Sequence, residues 1–201
     1  VKLYATSEYN CKDTANKTIR VFPELEAAFS TNKIAGCAPL EINVNNLSPI
    51  AKIDSTQWIW GDGDTTKTES PGSHIYQNTS DSIESHMLYL QVFSDSGCSA
   101  IDSVQITVYP QVLSGFTQDL GSICDSSLVT FTDTSNGAIS TRKWNFNDGT
   151  VLTNVTDTTH IFRNLTNDSV TYTIRQTVSS TEGCTDTSIS QVTVYPFIAS
   201  R

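Results

Sequence analysis

The chain has 201 residues, enough for one or two domains with real hydrophobic cores. It carries 12 Lys and Arg against 21 Asp and Glu, a net charge of −9, and so acidic a surface repels phosphate backbones and excludes nucleic acid as a natural partner. Ser and Thr together make up 53 residues and Met occurs once. With Val, Ile and aromatics supplying the apolar content, this composition predicts an all-β protein. The apolar runs are only a few residues long, so no membrane insertion is expected in this segment, and no signal peptide stands at Val1.

The pattern along the chain repeats. Cys11, Cys98 and Cys184 stand 87 and 86 residues apart, and each is followed twelve residues later by a proline: Pro23, Pro110 and Pro196. Cys37 and Cys124 are again 87 apart. Trp58-Ile59-Trp60-Gly61-Asp62-Gly63 returns 86 residues later as Trp144-Asn145-Phe146-Asn147-Asp148-Gly149, and His74-Ile75-Tyr76 returns as His160-Ile161-Phe162. Landmarks in one order and one phase mark a tandem repeat. The organisation expected is 1–23 as the closing strands of one repeat, 24–110 and 111–196 as two complete repeats, and 197–201 as a linker or the start of another. The spacing changes by one residue between the first cysteine and the Trp, which places a loop-length difference there. The linkers are short and marked by proline, so neighbouring repeats should be semi-rigidly coupled.

Each repeat reads as six to eight short strands. Ala27–Ser30 and Leu40–Asn45 open the first. Gln57–Trp60 is a central strand with Trp58 and Trp60 on one face, since residues two apart share a face. Leu88, Leu90 and Val92 alternate along a further strand, as do Val104, Ile106 and Val108. Gly61-Asp62-Gly63 and Ser96-Gly97 read as turns. No segment shows helical periodicity. Antiparallel strands around a central Trp predict a sandwich of immunoglobulin type in each repeat.

Each complete repeat holds two cysteines, Cys37 with Cys98 and Cys124 with Cys184. Their equivalent placement predicts one disulfide within each repeat, and hence an extracellular, oxidising location. Cys11 then lacks a partner in this fragment. Metal ligation wants Cys-x-x-Cys or Cys/His clusters, which are absent, and a catalytic thiol wants a base that recurs with it.

The Trp-x-aromatic-(Gly/Asn)-Asp-Gly motif, the His-x-aromatic twelve residues after its Asp, and the Gly-Cys turn before a closing Val-x-Val strand resemble the PKD (polycystic kidney disease) domain family. Both complete repeats match along their length. They depart from the family's Trp-Asp-Phe-Gly-Asp-Gly at Ile59 and Trp60, and at Asn145 and Asn147. The cysteine placement is similar to that of PKD repeats in large Bacteroidota surface proteins, among them gliding-motility adhesins and type IX secretion cargo. The resemblance implies tandem seven-stranded immunoglobulin-like sandwiches without catalysis of their own. These act as spacers or interaction modules at the cell surface, or as accessory segments of secreted hydrolases.

Trp58 and Trp144 are expected in the cores. Asp62 and Asp148 are expected to accept backbone N–H bonds in tight turns, with Asp62, Asp64 and Asp148 as the candidates for Ca²⁺. Asp64 is replaced by Thr150 in the second repeat, so a two-carboxylate site does not recur. His74 and His160 are expected to bond within a strand-to-turn corner, and His86, matched by Tyr172, to lie on a strand surface. Trp60 is either a core residue, like Phe146, or a sugar-binding aromatic. Asp followed by Ser or Thr recurs and is similar to the O-glycosylation acceptor pattern of Bacteroidota, which nominates Thr14, Ser55, Thr65, Ser82, Ser103, Thr158 and Ser169. No enzyme motif or cofactor site stands out. The expected role is a non-catalytic stalk in a surface adhesin or filament, with neighbouring repeats and like chains as partners. The alternatives are a module that docks surface glycans or proteins and an accessory segment of a secreted hydrolase.

Overall fold

A computed structural model describes residues 1–22 and 24–197. Pro23 and residues 198–201, which carry one proline landmark and most of the 197–201 segment, lie outside the described residues. The chain opens with an exposed antiparallel hairpin, β1 (Lys2–Thr6) and β2 (Lys12–Asn16).

Two β-sandwiches follow. In the first, β3 (Phe29–Thr31), β5 (Leu40–Asn46) and β8 (Ser73–Tyr76) form one sheet in the order β3-β5-β8. The second sheet contains β4 (Ala35–Cys37), β6 (Ser55–Ile59), β7 (Thr65–Thr66), β9 (Glu84–Phe93) and β10 (Ser99–Tyr109), in the order β4-β10-β9-β6-β7. The second sandwich repeats this arrangement. β11 (Phe116–Gln118), β13 (Leu128–Asp133) and β16 (Thr158–Ile161) make the smaller sheet. β12 (Ser122–Cys124), β18 (Thr185–Tyr195), β17 (Val170–Ser179), β14 (Thr141–Asn145) and β15 (Val151–Thr153) make the larger. A three-stranded sheet facing a larger one, with the opening strand split between them, is the immunoglobulin-like topology.

Alternation explains the burial. Along β5, Leu40, Ile42 and Val44 face inward while Glu41 and Asn43 face water. Along β9, Leu88, Leu90 and Val92 are fully buried. Side chains of both sheets meet around Trp58 in the first core and Trp144 in the second, and both indoles are completely buried. Each still satisfies its N–H: Trp58 Nε1 donates to the Thr68 carbonyl at 3.1 Å and Trp144 Nε1 to that of Val155 at 2.9 Å.

One local feature differs from expectation and another agrees with it. The opening strand is split, and its second piece pairs parallel, not antiparallel, to the last strand of the same sandwich: Ala35–Cys37 lies beside Thr107–Tyr109, and Ser122–Cys124 beside Thr193–Tyr195. Three residues are too few to show an alternation. The loop-length difference falls in the segment after Ser48 and Ser135. Pro49-Ile50-Ala51-Lys52 in the first sandwich, partly a 3-10 turn, becomes Asn136-Gly137-Ala138 in the second.

Candidate functional site

Two constructions stand out: the aspartate–histidine corner, which recurs in each sandwich, and the junction between the sandwiches.

The corner follows the central strand. Gly61 turns the chain at φ +84°, where a Cβ would stand 2.5 Å from the Met87 carbonyl oxygen. Asn147 takes the same position at φ 61°, a conformation asparagine tolerates. Asp62 Oδ1 then accepts the Asp64 N–H at 3.1 Å, and Asp148 Oδ1 that of Thr150 at 2.9 Å. The other oxygen of each carboxylate accepts a hydrogen bond from a histidine N–H: His74 Nε2 to Asp62 and His160 Nε2 to Asp148, both at 2.6 Å. The imidazoles lie flat on the aromatic ring two residues after the Trp, with centroids 4.3 Å apart on Trp60 and 4.2 Å on Phe146. Trp60 is 1 % exposed and therefore a core residue, not a sugar platform. Burial pushes the Asp62 and Asp148 carboxyls up, but the histidine and backbone hydrogen bonds outweigh it and leave both below the usual carboxylate range. Asp62, Asp64 and His74 lie close enough to share an ion, their ligand atoms being within 4.8 Å of one another. Yet both Asp62 oxygens already accept hydrogen bonds and His74 Nε2 is spent as a donor, so these residues do not fit Ca²⁺, which takes six to eight oxygens. His86 is not on the open strand surface: its side chain is 14 % exposed and its ring stacks on Tyr76 at 5.2 Å.

The junction carries the disulfide, and here the expected pairing is overturned. Cys37 bonds Cys184 of the other sandwich across 147 residues, with the two Cα atoms 5.6 Å apart, while Cys11, Cys98 and Cys124 are free thiols. Neither Cys37–Cys98 nor Cys124–Cys184 forms, because the members of each pair sit at opposite ends of one sandwich. Cys37 lies beside Tyr109 at the end of β10, and Cys98 immediately precedes its start. Eleven residues of strand separate them by roughly 33 Å, far beyond the ~7 Å Cα limit for a bridge. Cys124 and Cys184 stand in the same relation along β18.

Around the bond, Val112, Val178 and Cys184 form a small buried cluster against Cys37, Tyr109 and Ile139. The linker is held on both sides. Gln111 N–H donates to the Asn78 carbonyl at 3.0 Å, and Leu113 exchanges backbone bonds with Asn136 at 2.9 Å. Gly137, at φ +102°, lets the linker pass where a Cβ would be 2.3 Å from the Gln111 oxygen. Asn78, only 2 % exposed, spans Ser82 O at 2.8 Å and Val108 O at 2.9 Å, and Asn164 does the same with Asp168 and Val194. Asn78 stands in an Asn-x-Ser sequon, yet its amide closes the end of β10. Sequence reasoning missed this pair, although Asn78-Thr79-Ser80 recurs 86 residues on as Asn164-Leu165-Thr166, a signal that could have found it.

Of the nominated acceptor hydroxyls, Thr14, Ser55, Thr65, Ser82, Ser103 and Ser169 are exposed and Thr158 is half-buried. A groove of about 770 Å³ opens at one end of the first sandwich, lined by Ile50, Ile53, Asp54, Phe93 and Ser94 among others. No described helix is long and apolar enough to cross a membrane.

No family model and no curated protein matches the chain. Among solved structures, the PKD1 domain of the Vibrio cholerae metalloprotease PrtV is 24% identical, with a TM-score of 0.35, over 42% of this chain and 96% of its own. Fibronectin(III)-like modules of Clostridium thermocellum CbhA are 10% identical at a TM-score of 0.35, over 84% of this chain and 94% of theirs. A carbohydrate-binding module of the β-sandwich superfamily is 15% identical at 0.39, over 87% and 94%. The immunoglobulin-like fold stands on the strand order itself.

Proposed function

We propose that this chain is a non-catalytic spacer: a stalk segment of a larger extracellular repeat protein, built from PKD-type repeats at 24–110 and 111–196, with 1–23 closing a preceding repeat and 197–201 leading onward. The observation that carries this reading is the disulfide across the junction. A bond inside a sandwich stabilises that sandwich, whereas Cys37–Cys184 fixes one sandwich against the next, which serves a part whose task is to hold distance and direction. It also calls for an oxidising compartment, so the reading places the chain outside the cytoplasm. The hairpin β1–β2 supports a third repeat, since its turn copies those before β10 and β18: Ser7, Ser94 and Ser180 each donate their N–H to the carbonyl of Cys11, Cys98 or Cys184 at 2.9 Å. All three tryptophans of the chain are buried, which leaves a sugar-binding face without its best platforms. The wider setting that suits such a stalk is a surface adhesin of the Bacteroidota kind.

The test is the distribution of distances between spin labels at exposed Asn43 and Asn167, one on each sandwich. A single narrow distribution in the oxidised chain, broadening when the bond is reduced, is expected. A broad distribution in the oxidised chain overturns the spacer reading.

A further inference from the structure

Cys98 and Cys124 are free, yet each occupies the same place as one half of the bond that joins the sandwiches. Cys124 lies beside Tyr195 as Cys37 lies beside Tyr109. Cys98 ends the turn from Ser94 as Cys184 ends the turn from Ser180, with the cysteine N–H donating to the serine Oγ at 3.1 and 3.3 Å. Two residues of the junction have more open counterparts beside them, although Val92, the counterpart of Val178, is buried in the first core. Tyr109 packs in the junction, whereas Tyr195 is 50 % exposed. Ile139 packs in the junction, whereas Ile53, which occupies its position one residue before the bond from Asp54 or Ser140 N–H to the neighbouring strand, lines the open groove beside Ser94, with Ile50 59 % exposed next to it.

We infer that the Cys124 end and the Cys98 end are the two complementary halves of one docking surface, and that the occupant of each is another repeat of this kind, joined by the same sheet-end-to-turn disulfide. Cys124 takes the turn cysteine of a following repeat, and Cys98 takes the sheet-end cysteine of a preceding one. The occupant follows from the observed junction, which already shows this surface engaged by its own complement. Each staple spans most of two repeats, so successive staples overlap and leave no repeat that can be drawn out alone.

The chemistry is thiol–disulfide exchange with a disulfide oxidant. The Cys124 thiolate attacks glutathione disulfide, releasing one glutathione thiolate. The incoming turn cysteine, as thiolate, then attacks the Cys124 sulfur of the mixed disulfide and expels the second. Two protein thiols are oxidised, one glutathione disulfide is reduced, and the two protons the protein thiols give up are taken by the two departing glutathione thiolates.

This inference rests on the spacer reading only in treating the chain as part of an array, and its test reads connectivity, not stiffness. The full chain is extended after Pro196 by a second copy of residues 24–196, folded in glutathione disulfide, alkylated and mapped by peptide mass. Cys124 is expected to bond the appended copy's Cys98, and its alkylation should fall at least about tenfold relative to the unextended chain, because the linker holds the partner at millimolar effective concentration. Cys124→Ser in the extended chain should restore alkylation of the appended Cys98 while leaving Cys37–Cys184 intact in both copies. Cys124 alkylated beside an intact Cys37–Cys184 overturns the inference, as does Cys124 paired with Cys184 of its own sandwich or Cys37 paired with Cys98. A stiff chain with Cys124 alkylated overturns this inference alone and leaves the spacer reading standing.

Discussion

The two sandwiches share a frame and differ at one end of their cores. Opposite Trp58 the first places Leu90, and opposite Trp144 the second places Gln176. Both positions are fully buried. In the first sandwich the surroundings are apolar, with Phe29, Leu25 and Ala100 packed against the core. In the second, Gln176 Nε2 donates to Asp133 Oδ1 at 2.7 Å, its Oε1 accepts from the Ser114 and Ser135 hydroxyls at 3.1 and 3.2 Å, and Arg142 Nε donates to Asp133 Oδ2 at 2.6 Å. The same backbone thus accommodates a greasy end or a fully bonded polar one. What it does not vary is the Trp, the aspartate–histidine corner and the cysteine pair.

The comparison breaks most visibly if the shared frame is removed. Trp58→Ala and Trp144→Ala should each destabilise their own sandwich by about 3–5 kcal/mol, the usual cost of deleting a large buried aromatic. Denaturant titration followed by sandwich-resolved hydrogen exchange should show similar losses, and a loss confined to one of them means the frames are not equivalent. A smaller effect separates the two ends. Asp133→Ala leaves Gln176 and Arg142 without their acceptor and should cost the second sandwich about 3 kcal/mol. Asn46→Ala, at the matching place opposite Phe29, should cost about 1 kcal/mol.

The smallest effect is on acid stability. Burial raises the Asp133 carboxyl, but hydrogen bonds from Ser135, Gln176 and Arg142 outweigh it and hold it below its ordinary value. Its contribution is therefore fully present above the unfolded carboxylate range near pH ~4 and is lost as pH falls through the lower folded value. The first sandwich, with Asn46 there, lacks this carboxylate, so NMR-monitored acid titration should unfold the second first. The reverse order contradicts the assignment of Asp133.

The repeat, the strand alternation and the buried Trp were legible because they rest on periodicity and on side chains that announce themselves. The turns at Asp62 and Asp148 and the corner placement of His74 and His160 were legible, since they recur at fixed spacing, but not the bond that joins each pair or the stacking of imidazole on Trp60 and Phe146. The disulfide was misread for a physical reason. Equal spacing makes an intra-repeat and an inter-repeat pairing indistinguishable in one chain, and only the parallel pairing of Ala35–Cys37 with the end of β10 shows which end each cysteine occupies. The polar core around Gln176 was hidden because its partners, Ser114, Asp133, Ser135 and Arg142, are brought together by sheet pairing.

The central claim, that one sandwich is locked to the next, is tested most directly by stretching a single oxidised chain from its two ends. The 147-residue span closed by Cys37–Cys184 should stay shut and add no length. Reduction of the bond should then release roughly 500 Å of further extension, at ~3.3–3.6 Å per residue. Full extension of both sandwiches without reductant contradicts the account.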